Sequence, residues 1–399
     1  MSFEISLVMN MKIAIIGGGG HVGLPLSITL ADASEDLNIT IIDINKETNE
    51  LINSSILPFK EDGADIKLKK VINKNLFATD DLNFVKKADV VIVIIGTPVD
   101  EYLNPSFKVF KDFIENSIEF FSDNQTVILR STVYPGTSQK IHQLFNQYNL
   151  NIHVAFCPER IAEGKAMIEL YSLPQIISGF DEEGVSKATE VFRYLTKDLV
   201  YLQPMEAELA KLFTNSWRYI QFATANQYYM LAESMGLDFY KIYHAMTFNY
   251  PRTKGFPKAG FAAGPCLFKD TMQLSSVSDN QFFLGHSAML INEGLPNFIV
   301  KQLKKEKNIQ ELTVGILGMA FKAESDDKRT SLSYKLKNIL EFEAKKVLCT
   351  DTYIKDPNFL PLTKLIELSD ILILATPHQE YKNIQTPKEI IDVWNFIQK

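Results

Sequence analysis

Short hydrophobic runs alternate along the chain with segments long enough to form helices. Runs rich in valine and isoleucine come first: KIAII (Lys12–Ile16), ITIID (Ile39–Asp43), VVIVII (Val90–Ile95), TVILR (Thr126–Arg130) and IHVAF (Ile152–Phe156). Nearly continuous apolar runs of this length are typical of strands that are buried on both faces of a parallel sheet. With helices between the strands, the pattern predicts an α/β domain.

A second set of runs appears late in the chain: LTVGIL (Leu312–Leu317), KVLCT (Lys346–Thr350) and ILILAT (Ile371–Thr376). Between the two sets the pattern is helical and includes a long helix from Met205 to about Met235. The sequence therefore predicts an α/β protein with two Rossmann-like doubly wound domains joined by a central helical region. The predicted domains are residues 1–200, 201–302 and 303–399, with residues 1–10 as a candidate extension ahead of Met11.

The first predicted strand runs directly into the glycine-rich segment GGGGHVGLP. Gly18, Gly20 and Gly23 have the spacing of a dinucleotide-binding turn, in which a pyrophosphate approaches the backbone at the positive end of the next helix. Asp43 ends the next strand, where its carboxylate would bind ribose hydroxyls and repel a 2′-phosphate. The cofactor is therefore predicted to be NAD, held by Gly18, Gly20, His21, Val22, Gly23 and Asp43.

Polar residues follow several of the other predicted strands. Thr97 and Pro98 follow VVIVII, Thr132 follows TVILR, and Glu159 and Glu163 follow IHVAF. Ligands of open α/β sheets bind outside the carboxyl ends of the strands. These residues are therefore candidate ligand contacts, although Thr97 alone is equally compatible with an ordinary turn.

Cys266 lies in GFAAGPCLFKD, where Lys269 and Asp270 follow within four residues. A nearby ammonium favours a thiolate, and a carboxylate is able to accept a proton. These local features support a catalytic thiol and a structural thiol equally. Lys211 and Asn215 are four residues apart on one face of the long predicted helix, a pattern that for an isolated pair more often indicates a solvated face.

Composition limits the classes of protein and partner. The 41 Lys and Arg residues against 48 Asp and Glu residues leave a net charge of −7, which argues against binding to nucleic acid. Three widely spaced cysteines indicate a reducing cytoplasm. The N-terminal segment lacks the basic and apolar regions of a signal peptide, and the apolar runs are too short to span a membrane. No metal site is predicted.

Taken in order, these motifs resemble the UDP-glucose/GDP-mannose dehydrogenase family over nearly the whole chain. The resemblance rests on GGGGHVGLP, VVIVIIGTPVD, RSTVYPGT, CPERIAEGKAMIEL, AELAKLFTNS, GFAAGPCLFKD, LGMAFKAESDDKRTS and TPHQEY. It implies an N-terminal NAD domain, a helical middle that forms a homodimer, and a C-terminal nucleotide-sugar domain. It also implies oxidation of the C6 alcohol of a nucleotide sugar to a carboxylate with two NAD, feeding surface polysaccharide synthesis.

The resemblance also implies roles for the candidate residues. Cys266 would attack the aldehyde produced by the first oxidation, and the resulting thiohemiacetal would be oxidised to a thioester. Lys211 and Asn215 would stabilise the oxyanions, and Asp270 would activate the thiol or the hydrolytic water.

The remaining implied roles concern water, cofactor and sugar. Thr132 and Glu159 would position water, and Glu163 would act near the reacting carbon or the cofactor. Implied contacts to NAD come from Thr97, Pro98, Thr132, Glu163 and Arg329. Implied contacts to the substrate come from Glu159, Arg160, Lys211, Asn215, Arg252, Gly260 and Lys322.

The motifs indicate the sugar less sharply than the reaction. CPER with AMIEL, and NSWR at Asn215–Arg218, resemble the branch that acts on UDP-N-acetylhexosamines, whereas GPCLFKD is closer to the glucose branch. The favoured substrates are UDP-N-acetylmannosamine and UDP-N-acetylglucosamine, and the alternative is a UDP-glucose 6-dehydrogenase. Ala262 and Ala263 replace the usual glycines of the cysteine loop.

Two other interpretations differ in chemistry. One is a hydroxyacid-type NAD dehydrogenase with Lys211 and Asn215 as its catalytic pair, which would form one NADH per substrate and would not need Cys266. The other is a non-catalytic sensor that binds NAD or a nucleotide sugar without turnover.

Overall fold

A computed structural model describes residues 10–96, 107–261, 264 and 266–398 of the chain. The chain forms two compact units, residues 1–212 and 213–399. The division falls inside one long helix, α8 (Pro204–Ser234), which matches the helix predicted from Met205 to about Met235. The finer division into three domains stays a prediction.

The first unit alternates strands with helices. Its strands are β1 (Met11–Ile16), β2 (Leu37–Ile42), β3 (Leu76–Thr79), β4 (Val90–Val93), β5 (Thr126–Leu129), β6 (His153–Phe156), β7 (Gln175–Ile177) and β8 (Leu199–Tyr201). Its helices before α8 are α1 (Gly23–Ala33), α2 (Lys46–Asn53), α3 (Ala64–Val71), α4 (Phe107–Ser117), α5 (Thr137–Gln147), α6 (Ala166–Ser172) and α7 (Glu182–Arg193).

Six of these strands form one parallel sheet in the order β3-β2-β1-β4-β5-β6, and β7 pairs with β8. Successive residues of β1 point to opposite faces, so Ile13 and Ile15 join one buried apolar cluster while Ala14 and Ile16 join the other. The strand order reverses between β1 and β4, where the carboxyl ends of an open sheet leave room for a ligand. The predicted doubly wound N-terminal fold is confirmed.

The second unit contains the remainder of α8, further helices and a second sheet. Its other elements are α9 (Phe239–Thr247), α10 (Leu267–Val277), α11 (Phe283–Glu306), β9 (Thr313–Leu317), α12 (Leu332–Glu343), β10 (Lys346–Thr350), α13 (Leu362–Leu368), β11 (Ile371–Leu374) and β12 (Ile390–Ile391). The strands form a parallel sheet in the order β10-β9-β11-β12. This arrangement confirms the predicted second α/β region after a helical middle.

Short 3-10 helices connect several elements. They span Leu82–Lys87, Ile118–Phe120, Pro251–Thr253, Ile309–Glu311 and Gln379–Asn383. Within the described part of the chain, no helix has both the length and the hydropathy that crossing a membrane requires.

Candidate functional site

The glycine loop lies between β1 and α1, and two of its glycines are required by the backbone itself. A Cβ atom on Gly18 would lie 2.7 Å from the carbonyl oxygen of Ile15, and one on Gly23 would lie 2.6 Å from that of Gly17. Both distances are shorter than real Cβ contacts allow. Gly20 differs, because the nearest atom to its added Cβ would be 3.8 Å away. The protein therefore leaves open space beside Gly20, where a pyrophosphate is predicted to approach.

The start of α1 suits an anion. The helix begins at Gly23, has no acidic residue in its first turn, and its N-cap Val22 provides no side-chain hydrogen bond. Asp43 lies directly after β2, and its carboxylate accepts hydrogen bonds from the backbone N–H groups of Gly19 and Asn45, both at 3.0 Å. These bonds fix the acid beside the loop, so the described residues fit the phosphates and ribose of NAD.

The loop after β6 approaches the glycine loop within the first unit. His21 Nδ1 lies 2.8 Å from Glu163 Oε1, and the His21 ring contacts Phe59 with 4.0 Å between ring centroids. The buried Glu61 carboxylate accepts hydrogen bonds from the N–H groups of Gly164 and Ala166, both at 2.8 Å. Glu61 therefore holds the segment that carries Glu163, a role that its position between α2 and α3 did not reveal.

Glu159 is buried, and its carboxylate is hydrogen-bonded to the backbone of its own loop. One carboxylate oxygen accepts hydrogen bonds from the N–H groups of Arg160 and Ile161, and the other accepts one from Arg130. Arg130 is itself buried at the end of β5 and also donates to the carbonyl oxygen of Cys157 at 2.9 Å. Removing one partner of a buried ion pair typically costs about 3–5 kcal/mol, so Arg130 fixes the position of Glu159.

Arg160 is half-buried, and its guanidinium donates to the carbonyl oxygen of Pro174. Burial lowers the pKa of Arg160, but an arginine still stays charged at neutral pH. The predicted water-positioning role of Glu159 and the substrate contact of Arg160 remain predictions.

Glu208 is a buried acid on α8 that the sequence analysis did not single out. Its carboxylate accepts hydrogen bonds from the N–H groups of Gly136 and Ser138 at the start of α5, the second at 2.8 Å. Burial raises the pKa of Glu208, although these hydrogen bonds oppose the rise. The carboxylate fixes α8 to the loop that carries Thr132, because this loop runs directly from β5 into α5.

Lys211 and Asn215 lie one turn apart on α8, as predicted, and both side chains are buried. A solvated face is therefore wrong for this pair. In the second unit, Asn215 Nδ2 donates to Asp270 Oδ2 at 2.6 Å, and Lys269 Nζ lies 3.8 Å from Asp270 Oδ1. The Asp270 side chain is fully buried. The structure thus places the Asn215 amide against the Lys269–Asp270 pair, which the sequence suggested separately from Asn215.

Cys266 is the N-cap residue of α10 and is exposed. The backbone N–H of Asp270 donates to the carbonyl oxygen of Cys266 at 2.9 Å, so the acid sits one turn beyond the thiol. The partial positive charge of a helix N-terminus stabilises a thiolate. The other two cysteines are buried, and burial raises the pKa of Cys157 and of Cys349 to about 12. Only the helix-end thiol therefore has the exposure that a nucleophile needs.

Gly260 precedes the cysteine loop, and both its backbone N–H and its carbonyl oxygen are hydrogen-bonded to one side chain. The Asn226 side chain accepts a hydrogen bond from Gly260 N at 2.8 Å and donates one to Gly260 O at 3.1 Å. The Asn226 side-chain amide donates a further hydrogen bond to Asn292 Oδ1 at 2.9 Å. A Cβ on Gly260 would lie 2.3 Å from the Trp394 ring, so glycine is required at this position.

The remaining predicted contacts lie in loops of the second unit or outside the described residues. Arg252 is exposed, and its guanidinium donates to the Tyr250 hydroxyl at 3.0 Å. Arg329 forms a two-pronged contact with Asp327, and Lys322 lies in the loop after β9. Thr97 and Pro98 lie outside the described residues.

Three family models match successive parts of the chain. The NAD binding domain of the UDP-glucose/GDP-mannose dehydrogenase family matches residues 11–196. The central domain of that family matches residues 205–293, and its UDP binding domain matches residues 315–399. Together these matches cover most of the chain.

Similar proteins extend over the same length. The UDP-N-acetyl-D-mannosamine dehydrogenase of Pyrococcus horikoshii is 30% identical over 386 residues, covering 94% of this chain and 91% of the relative. The protein of the same name from Methanocaldococcus jannaschii is 29% identical, covering 94% of this chain and 87% of the relative.

Solved structures show the same fold. A UDP-D-ManNAc dehydrogenase from Pyrococcus horikoshii superposes with a TM-score of 0.89 at 29% identity, covering 98% of this chain and 96% of that chain. A UDP-glucose dehydrogenase from Pyrobaculum islandicum superposes with a TM-score of 0.85 at 21% identity, covering 97% and 94%. The α/β architecture predicted from the sequence is confirmed.

Proposed function

The chain belongs to the UDP-glucose/GDP-mannose dehydrogenase family, and we propose that it oxidises C6 of UDP-N-acetylmannosamine to the uronic acid through a thioester on Cys266. Membership makes the chain an NAD-dependent nucleotide-sugar dehydrogenase. The observation that carries the proposal is the exposed Cys266 thiol at the N-terminus of α10, one turn before a buried Asp270.

Oxidation of an alcohol to an acid removes two hydrides, and NAD held by the glycine loop would supply the hydride acceptor for each of the two successive oxidations. The aldehyde formed by the first oxidation has no oxygen able to expel a second hydride. Sγ of Cys266 forms a bond to the aldehyde carbon, and the oxyanion of this thiohemiacetal re-forms its carbonyl as C6 loses the second hydride. Water then breaks the C–S bond of the thioester and releases the acid. The balance is one alcohol, one water and two NAD giving one carboxylate, two NADH and three protons.

Asn215, Lys211 and Asp270 are proposed to support these steps. The Asn215 amide and the Lys211 ammonium would stabilise the oxyanions, an effect worth about 2.7–4 kcal/mol for one well-placed donor. Asp270 accepts a hydrogen bond from Asn215, which fixes the orientation of that amide. The Asp270 carboxylate would then receive the proton from the thiol or from the hydrolytic water.

The first unit is proposed to bind the cofactor through its glycine loop. The open space beside Gly20 would admit the pyrophosphate, and Asp43 would accept hydrogen bonds from the ribose. His21 and Glu163 would lie beside the bound cofactor, because their contact joins the glycine loop to the loop after β6. Thr132 and Glu159 would position water. Further proposed cofactor contacts are Val22, Thr97, Pro98 and Arg329.

The second unit is proposed to hold the nucleotide sugar. Lys322, in the matched UDP binding domain, would contact the phosphates, and Gly260 and Arg252 would contact the sugar. Arg160 is a further proposed substrate contact. Their test is steady-state kinetics of single substitutions: Lys322→Ala should raise KM for the UDP-sugar more than it lowers kcat, and an unchanged KM would remove Lys322 from the set.

The acetamido sugar is proposed from two kinds of support. The CPER and NSWR motifs resemble the acetamido branch, and the similar proteins from Pyrococcus horikoshii and Methanocaldococcus jannaschii are both named for UDP-N-acetyl-D-mannosamine. The test is the initial rate of NADH formation with UDP-N-acetylmannosamine, UDP-N-acetylglucosamine and UDP-glucose. UDP-N-acetylmannosamine should give the highest kcat/KM. A higher value for UDP-glucose would instead identify a UDP-glucose 6-dehydrogenase, and no NADH from any of them would favour a sensor.

The partner is proposed to be a second copy of the chain, bound through α8 and α11. Large apolar residues are exposed along one side of α8 and near the start of α11: Phe213, Trp217, Tyr228, Leu231, Phe283, Leu284 and Leu290. The four on α8 fall at helical spacing, so they form a stripe. A contiguous apolar stripe is typical of a protein interface rather than of a surface exposed to water.

Replacing Trp217 and Leu231 together by glutamate is expected to convert the dimer to a monomer, because each protomer would have to bury two unpaired carboxylates in the interface. Light scattering after gel filtration measures the mass. The matched control is Phe342→Glu on α12, where an equally large exposed side chain lies off the stripe, and this variant should stay dimeric. A monomeric native protein, or a dimeric double variant, would contradict the proposed interface.

The use of NAD and the small number of widely spaced cysteines support a cytoplasmic location. Cell fractionation checks this proposal, since the activity should appear in the cytoplasmic fraction and not in the envelope.

A further inference from the structure

The loop after β9 carries Lys322 in a partly buried segment, and both ends of this segment are held by residues that follow the neighbouring strands. Asp351 follows β10 directly, and His378 lies in the TPHQEY motif after β11. Both side chains are completely buried. Three loops at the carboxyl ends of β9, β10 and β11 therefore meet at this pair.

Asp351 is the central acceptor. Its Oδ2 accepts hydrogen bonds from Met319 N at 2.6 Å and Ala320 N at 3.0 Å, which lie just before Lys322. Its Oδ1 accepts hydrogen bonds from Tyr353 N and Ile354 N, both at 2.8 Å. The carboxylate thus joins the β9 loop to the β10 loop.

His378 fixes the other side of the same segment. Its Nδ1 accepts a hydrogen bond from Glu324 N at 3.0 Å, which leaves the proton on Nε2. Nε2 then donates to Asp351 Oδ2 at 3.2 Å. The Glu324 carboxylate in turn accepts hydrogen bonds from Gln379 N and from the Tyr353 hydroxyl. Glu324 has a φ of +57°, a conformation that a residue with a side chain rarely adopts, and these contacts hold it there.

We propose that Asp351 and His378 form a clamp that positions the Lys322 loop to receive the diphosphate of the nucleotide sugar. The clamp anchors Ala320 and Glu324 on the two sides of Lys322, which leaves Phe321, Lys322 and Ala323 between the anchors. Asp351 and His378 are positioning residues, because they act on the ligand through the backbone of the loop. The inference rests on the proposed phosphate contact of Lys322.

The charge of Asp351 is stabilised inside the clamp. Burial alone would raise the pKa of Asp351, but the hydrogen bonds from His378, Ile354 and Met319 outweigh it and hold the pKa below its usual value. The acceptor is therefore an ionised carboxylate at neutral pH. The hydrogen bonds that backbone N–H groups donate to it are stronger than hydrogen bonds to a neutral oxygen. A neutral amide at this position would lose part of that strength and would have only one acceptor oxygen.

The test is binding of UDP to the full-length protein, measured by calorimetry, together with the kinetics of the UDP-sugar. His378→Ala should weaken UDP binding and raise KM for the UDP-sugar by about tenfold or more, because a misplaced binding group loses most of its effect. The KM for NAD should stay within about twofold, and kcat should fall less than kcat/KM. His378→Gln should restore most of the affinity, since its amide is able to donate to Asp351 and accept from Glu324.

Two comparisons separate positioning from simple loss of stability. Leu365→Ala removes a fully buried side chain of α13 that packs against β9 near Gly315, so it destabilises the same unit away from the loop. The Leu365→Ala variant should bind UDP with nearly the affinity of the native protein, even where its Tm falls as much as that of His378→Ala. If His378→Ala does not fold, Tyr353→Phe, which removes one hydroxyl bond to Glu324, should still weaken UDP binding measurably.

A double-mutant cycle gives the decisive outcome. In a Lys322→Ala background, His378→Ala should cause little additional loss of UDP affinity, because the group that the clamp positions is gone. Additive losses, native UDP affinity in His378→Ala, or an equal loss in Leu365→Ala would each overturn the proposal. These measurements need no turnover, so a chain that oxidised a different sugar would fail the proposed function and leave this result intact.

Discussion

Replacing Cys266 with serine is expected to lower the rate of acid formation by about three orders of magnitude or more, the scale seen when a catalytic nucleophile is lost. Serine has nearly the same size, but its hydroxyl is not ionised at neutral pH and an alkoxide is not stabilised enough by a helix N-terminus. The measurement is uronic acid formed per enzyme per second at saturating NAD and UDP-N-acetylmannosamine.

The matched control is Cys349→Ala in β10. That thiol is buried, and burial raises its pKa to about 12, so it is not a nucleophile at neutral pH. Assayed at a temperature well below its Tm, the Cys349→Ala variant should keep the turnover rate of the native protein. An active Cys266→Ser enzyme would remove the thioester from the mechanism and would favour the hydroxyacid type of dehydrogenase.

Replacing Gly20 with alanine is expected to weaken NAD binding by about 100-fold, the scale of a misplacement of 1 Å at a reacting or binding group. The structure leaves room for the methyl group, whose nearest protein atom would be 3.8 Å away, so Tm should stay close to native. The methyl group would instead occupy the space that the pyrophosphate needs. Fluorescence titration with NAD measures the affinity, and thermal melts measure the stability.

Gly23→Ala provides the opposite case. Its Cβ would lie 2.6 Å from Gly17 O and from Gly18 Cα, so the loop or helix must shift, which costs about 1–3 kcal/mol of unfolding free energy. The two variants should therefore separate cofactor binding from folding. Native NAD affinity in Gly20→Ala, or a native Tm in Gly23→Ala, would contradict this assignment of the glycine loop.

The sequence predicted the long buried strands well, because a strand covered on both faces is a continuous apolar run. It missed β3 and the short strands β7, β8 and β12. The β3 segment Leu76–Thr79 is an edge strand of only four residues in which buried and exposed side chains alternate, with Phe77 exposed, so it is too short and too weakly buried to stand out as an apolar run. β12 contains two residues and depends on its pairing with β11, a contact that no local pattern shows.

Candidate residues in contiguous motifs were found, whereas the residues that hold them were missed. Asn215 and Asp270 were both candidates, but their hydrogen bond joins positions 55 residues apart. Arg130 and Glu208 were not singled out. Each of these is a charged residue beside a predicted strand end or on the long helix, and its burial and its partners depend on tertiary packing. The sequence did offer one signal for Arg130: it is a charged residue at the end of a predicted buried strand.

The central claim is that one chain carries out two oxidations on one sugar, and the most direct measurement is the number of NADH molecules formed per UDP-sugar consumed. Absorbance at the NADH band and chromatography of the sugar nucleotides give the two quantities in the same reaction. The proposed mechanism predicts a ratio of two, with the uronic acid as the product. A ratio of one, with the reaction ending at the aldehyde or another carbonyl, would contradict it.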